Sequence, residues 1–139
     1  MINLLLKVEK TAQKILRIGI VIYLLIAAIS HLSIINKPES SLIHNILLAL
    51  LAFLIAILLL AHFKSPKLGI AGGALGTIAF LFMAVLSLFG SHHHLGPSFL
   101  HHLLPFLEYL ILSITCVMLT GTSIKEMIRQ KITQPFPKS

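Results

Sequence analysis

The chain is short of several things that most enzymes use. It has a single cysteine, Cys116, so no disulfide forms within it, and that residue lies in an apolar run where a buried, inert thiol is expected. It has four acidic residues, Glu9, Glu39, Glu108 and Glu126, against eleven Lys and Arg. Charged residues make up only 11% of the whole. It carries no His-Glu-x-x-His, no Cys-x-x-Cys, no Gly-x-Ser-x-Gly and no phosphate-binding loop, so hydrolase and nucleotide chemistry have no support. The excess of positive charge does not point to nucleic acid, because the basic residues sit near the chain ends and in one tight turn, with no basic face interleaved with aromatics.

Hydrocarbon is abundant: 57% of the 139 residues are hydrophobic, which moves the composition from the soluble norm toward a membrane protein. Four apolar runs, at about 18–35, 42–63, 68–89 and 101–120, approach the ~20 residues that cross a bilayer core. Open sheet edges cannot be satisfied in lipid, so the runs are predicted to be helices and the chain an all-α integral membrane four-helix bundle, one domain over 1–139. Ala28-Ile29-Ser30 would suit a signal peptidase, but the first run is read as a retained span. Residues 1–17 mix apolar and basic side chains and read as an amphipathic surface segment leading into that span. Residues 121–139 read as a basic tail.

Ten of the eleven Lys and Arg fall on one side of this layout, Lys37 being the exception. With an even number of spans, both termini are expected in the cytoplasm. The third run carries Gly69, Gly72, Gly73 and Gly76, a small-residue face suited either to a dimer or docked partner helix or to packing against a neighbouring span; packing within the chain is the expectation.

This topology sends seven of the eight histidines to the outer side, leaving only His62 on the inner one. His31 ends the first span, His44 opens the second, His92, His93 and His94 occupy the outer loop, and His101 and His102 open the fourth. Glu108 lies seven residues below His101 on the same helical stripe, about 10 Å deeper. An ionisable group at that depth is costly, usually faces the bundle interior, and is a candidate site by default.

Three chemistries could use the arrangement. Neutral imidazoles suit copper or zinc, with His92, His93, His94, His101 and His102 as candidate metal ligands, although adjacent residues on an extended chain point opposite ways. Two imidazoles at matched depth, drawn from His31, His44, His101 and His102, could clamp a haem. A histidine and Glu108 near the outer interface could instead take protons from a quinol, with Glu108 as base or proton acceptor. Against all three stands a plainer reading, in which histidines simply populate an interfacial zone.

Two stretches also carry a family likeness. Leu68-Gly69-Ile70-Ala71-Gly72-Gly73, after a basic turn, and the end of the fourth span into Thr122-Ser123-Ile124-Lys125-Glu126-Met127-Ile128-Arg129-Gln130 resemble the DoxX-like superfamily of small four-helix bacterial inner-membrane proteins, and within it the YkgB-type branch associated with reactive-chlorine resistance. Lys14-Ile15-Leu16-Arg17-Ile18-Gly19 is a weaker third match. The chain departs from that branch in its short segment between spans one and two, and in having Glu108-Tyr109 where the branch carries a Lys-Asp pair. The resemblance implies a bacterial inner-membrane location and a link to redox or oxidative-stress physiology, with quinone-reducing relatives among the family. It transfers no site residue to the histidine cluster. The expectation is therefore a redox-related membrane protein with a metal, haem or quinone site at its outer face, in contact with lipid and with a redox partner subunit or a second copy of itself. The rival is a non-catalytic scaffold that docks a partner through the glycine face; a transporter is a third idea, since four spans would need a dimer to make a pathway.

Overall fold

The computed structural model describes residues 1–34, 41–89 and 99–133. They form four α-helices: α1 (Ile2–Ile34), α2 (Leu42–Ala61), α3 (Pro66–Phe89) and α4 (Phe99–Thr133). Each helix contains a stretch long and apolar enough to cross a membrane. In space α1 packs on α2, α2 on α3 and α3 on α4, with α3 and α4 the most intimate pair. The ring closes between α4 and α1, whose backbones come near each other at few points.

Local chemistry sets the helix boundaries. Ser41 caps α2, its hydroxyl accepting from the His44 N–H at 3.4 Å. The second helix stops at Ala61, two residues before the apolar run ends, and His62 to Lys64 form the turn to α3. Pro66 opens α3 at the first helical position, where the missing N–H costs nothing. No break separates residues 2–17 from the first span: α1 is one helix of 33 residues, about 50 Å long. The basic tail is likewise helical as far as Thr133. Pro105 sits inside α4, near its start, and removes the intrahelical bond to the carbonyl of His101.

The outer surface of the bundle is rich in large apolar side chains. Ala28, Ala49, Ala56, Ala84, Cys116 and Ser123 are nearly inaccessible, alongside the larger Leu24, Ile55, Leu59 and Leu119, while Ile22, Ile26, Leu47, Leu54, Ile57, Phe82 and Ile111 face outward. The small side chains among the buried set let the helix backbones approach closely. The glycines of α3 are the clearest instance. A Cβ at Gly73 would strike Thr120 Oγ1 of α4, and one at Gly76 would lie 2.8 Å from Cys116 Sγ. One at Gly72 would lie 2.9 Å from the Leu59 backbone nitrogen of α2, and one at Gly69 would strike His62. The glycine face is therefore filled by the chain's own α2 and α4. Ser113 adds an interhelical bond, donating from Oγ to the Thr77 carbonyl at 3.2 Å.

A bulky residue in this face should damage the chain by itself. Gly73→Leu should lower the melting temperature of the purified protein in detergent, since overpacking of this kind costs about 1–3 kcal/mol or more. Gly121→Leu is the control, because nothing lies within 4 Å of a Cβ at that position. Equal stability of the two variants would remove the glycine face from this role.

Candidate functional site

Polar groups gather at two levels of the bundle, one toward each end. The helix ends that carry His31, His44, His101 and His102 lie together at one end; the start of α1, the end of α4 and the α2–α3 turn lie at the other, which holds most of the described lysines.

At the histidine end, the expected residues are only partly brought together. His31, half-buried near the end of α1, sets Nδ1 3.4 Å from Asn45 Oδ1 of α2. With the proton on Nδ1, its Nε2 is left as an acceptor. His44, one residue before Asn45, is exposed. His101 and His102 lie in the first turn of α4, and their side chains fall outside the described residues, as do His92, His93 and His94 entirely. Among the described residues, no three His, Cys, Asp or Glu side chains come together as a metal site requires.

Glu108 differs from expectation. It does not face the bundle interior but lies exposed on the seam between α4 and α1, where it accepts a 2.7 Å hydrogen bond from the Tyr23 hydroxyl. The stripe beside it, Tyr109, Ser113, Cys116 and Thr120, is the one turned toward α3. Helix rotation decides this: the small groups of that stripe must meet the α3 glycines, which swings Glu108 out to the seam. Behind the Tyr23–Glu108 pair lies a partly open apolar cavity of about 80 Å³, lined among others by Tyr23, His31, Phe80 and Tyr109. Phe80 lies between the two tyrosines, its ring centroid 6.3 Å from Tyr23 and 6.5 Å from Tyr109.

The other end holds a cluster that sequence reasoning set aside. Arg17 is buried, 2% exposed, and its Nη2 reaches across to α4, to Ser123 Oγ at 3.2 Å and to Thr122 Oγ1 and the Leu119 carbonyl at 3.5 Å each. Ser123 Oγ lies 2.9 Å from His62 Nδ1, and His62 Nε2 lies 2.9 Å from Glu126 Oε2. In a neutral His62 with its proton on Nε2, Nε2–H donates to Glu126 and Nδ1 is left as an acceptor facing Ser123 Oγ, whose single proton is shared between that nitrogen and the Leu119 carbonyl at 2.9 Å. Gly69 makes room for it, since a Cβ there would strike the imidazole and approach Ser123 Oγ.

Serine, histidine and glutamate in hydrogen-bonded order are the elements of a hydrolase triad. Here Ser123 is fully buried and its hydroxyl is walled in by Arg17 and the Leu119 carbonyl, so no acyl group can reach it. The cluster ties three elements together instead. His62, in the turn beyond the end of α2, is held below the ordinary imidazole pKa, first by burial and then by the Arg17 cation, with Glu126 opposing.

Arg17 was legible only as one of four positive charges before the first span, and His62 only as the histidine on the wrong side. The spacing of Lys10, Lys14 and Arg17 along one helical face was the available signal.

A depressed imidazole makes stability depend on pH. The unfolded ring takes up a proton near pH 6.5, before the folded one does. Stability contributed by neutral His62 is complete above about pH 6.5 and is lost as the pH falls toward the lower folded value. Melting temperatures in detergent between pH 7.5 and 5 should therefore fall more steeply for the natural chain than for His62→Gln. Parallel curves would mean that His62 is not the titrating group.

Comparison of the chain with protein-family models, with curated proteins and with solved structures finds no match in any of the three.

Proposed function

We propose that this is a four-span membrane protein with both termini in the cytoplasm, and that it binds a quinone-type head group in the outer half of its α1–α4 seam. The observation that carries the reading is the Tyr23–Glu108 hydrogen bond, made across the loosest interface of the bundle and beside an apolar cavity lined by His31 and two further aromatic rings. Ten of eleven basic residues on one side support the orientation. The resemblance of the third and fourth spans to DoxX-like proteins supports a bacterial inner membrane and a redox setting.

The residues fit a ring with polar edges. Phe80 and Tyr109 offer flat apolar surface, while Tyr23, its proton held by Glu108, and His31 offer an oxygen and a nitrogen acceptor for the hydroxyls of the ring in its reduced, quinol form. Glu108 holds the Tyr23 proton and is exposed, so it can accept a proton released at the cavity and pass it to the aqueous side. About 80 Å³ is smaller than the ~150 Å³ cavity that takes a benzene ring, so binding must widen the seam by a shift of α1. The polar bridges of that seam allow this more readily than the close-packed α3–α4 interface does. Metal and haem draw no comparable support from the described residues, where His31 is engaged by Asn45 and His44 faces away. The scaffold reading loses its docking face to α2 and α4.

The test uses a property of the composition. The chain has no tryptophan and two tyrosines, Tyr23 and Tyr109, both of which line the cavity. Tyrosine emission of the protein in lipid nanodiscs should be quenched saturably by a short-chain ubiquinone analogue. Glu108→Gln should raise the half-saturating concentration by about tenfold, the worth of one charged hydrogen bond. Quenching that never saturates, or that is indifferent to Glu108, would rule the reading out.

A further inference from the structure

The cluster at the lysine end opens onto a second, polar cleft of about 280 Å³, formed by α1, the α2–α3 turn and α4. Its lining holds four cations, Lys10, Lys14, Arg17 and Lys64, against one carboxylate, Glu126, which is already engaged by His62. Lys10, Lys14 and Lys64 are exposed at the cleft and make no ion pair among the described residues. Arg17 is different in kind. It is 98% buried, three weak acceptors share its Nη2, and its Nη1 has no hydrogen-bond partner at all. An unfilled donor on a buried cation is a costly arrangement in a finished fold, and four positive groups around one cleft repel one another.

We propose that this cleft is a binding site for a phosphate group. A phosphate oxyanion has acceptors enough for several cations at once, matches the guanidinium in geometry, and relieves the repulsion among the lysines. Lys10, Lys14 and Arg17 recur at four and three residues and so face the anion from successive turns of one helix. Gln13 lies at the edge of the cleft and also lines an apolar groove on the α1–α4 seam, with Leu16, Met118 and Leu119 along its wall. That continuity suits the head group of an anionic phospholipid with an acyl chain in the groove; free phosphate offers the same oxygens without the chain.

The experiment uses the full chain purified in a neutral, phosphate-free detergent at constant ionic strength. Its thermal stability is titrated with inorganic phosphate and, separately, with dihexanoyl phosphatidylglycerol. Saturable stabilisation is expected in both, at lower concentration for the lipid; a response to phosphate at equal or lower concentration assigns a soluble source to the same site. Lys10→Gln with Lys14→Gln, two exposed positions that the fold does not need, should raise the half-effective concentration about tenfold or more. No stabilisation by either compound, or a response that the double variant leaves unchanged, overturns the proposal.

Discussion

Everything in this bundle follows from how closely α4 can approach α3. Glycines at 69, 73 and 76 give α4 a surface with no side chains to clear, and the small groups of Cys116, Thr120 and Ser123 fill it. Where helices meet without a hydrophobic drive, that closeness is itself the attraction, since dispersion contacts accumulate only when backbones approach. It also fixes the rotation of α4. Once the stripe of small groups is turned inward, Glu108 must lie on the α1 side of the same helix.

The fourth interface is built on the opposite plan. Between α1 and α4 the contacts are long polar reaches at three depths: Glu9 to Lys125, Arg17 to Ser123, and Tyr23 to Glu108. Side-chain length rather than backbone contact sets the spacing there. The groove beside Gln13 lies along this seam and is what remains when two helices are held apart by bridges. The cavity behind Tyr23 is lined chiefly from α1, α2 and α3, with Tyr109 from α4. Exposed ion pairs such as Glu9–Lys125 contribute little, about 1 kcal/mol at most, so at the lysine end it is the buried Arg17 that holds the seam.

The helices and the glycine packing were legible in the sequence because each depends on a local pattern. Apolar length specifies a span, and glycines three and four residues apart specify a face. Helix ends were less legible: α1 and α4 run past the apolar boundary because nothing in residues 2–17 or 121–133 stops a helix, whereas spans were bounded by charge. The orientation of Glu108 was missed for another reason. Burial was inferred from the cost of a carboxylate among apolar neighbours, but that cost is also met at an interface by one hydroxyl donor, and Tyr23 lies 85 residues away. The Arg17 cluster is least legible of all, since its members come from α1, a turn and α4, with the pairing of Arg17 and Ser123 spanning 106 residues. Charge counting treats Arg17 and Lys14 alike; only the fold distinguishes the buried one.

That distinction matters physically. A guanidinium cannot shed its proton to escape burial, as a lysine can, so it must be matched by acceptors where it stands. Ser123, Thr122 and the Leu119 carbonyl match one of its two terminal nitrogens, and Glu126, balancing the charge nearby, spends its own hydrogen bond on His62. The cation thus ties α1 to α4, and the α2–α3 turn is bound to α4 through the histidine. The same arrangement that locks this end leaves a donor over. The two ends of the bundle therefore differ in kind: the histidine end has room beside the Tyr23–Glu108 bridge, while the lysine end has order and an unspent donor.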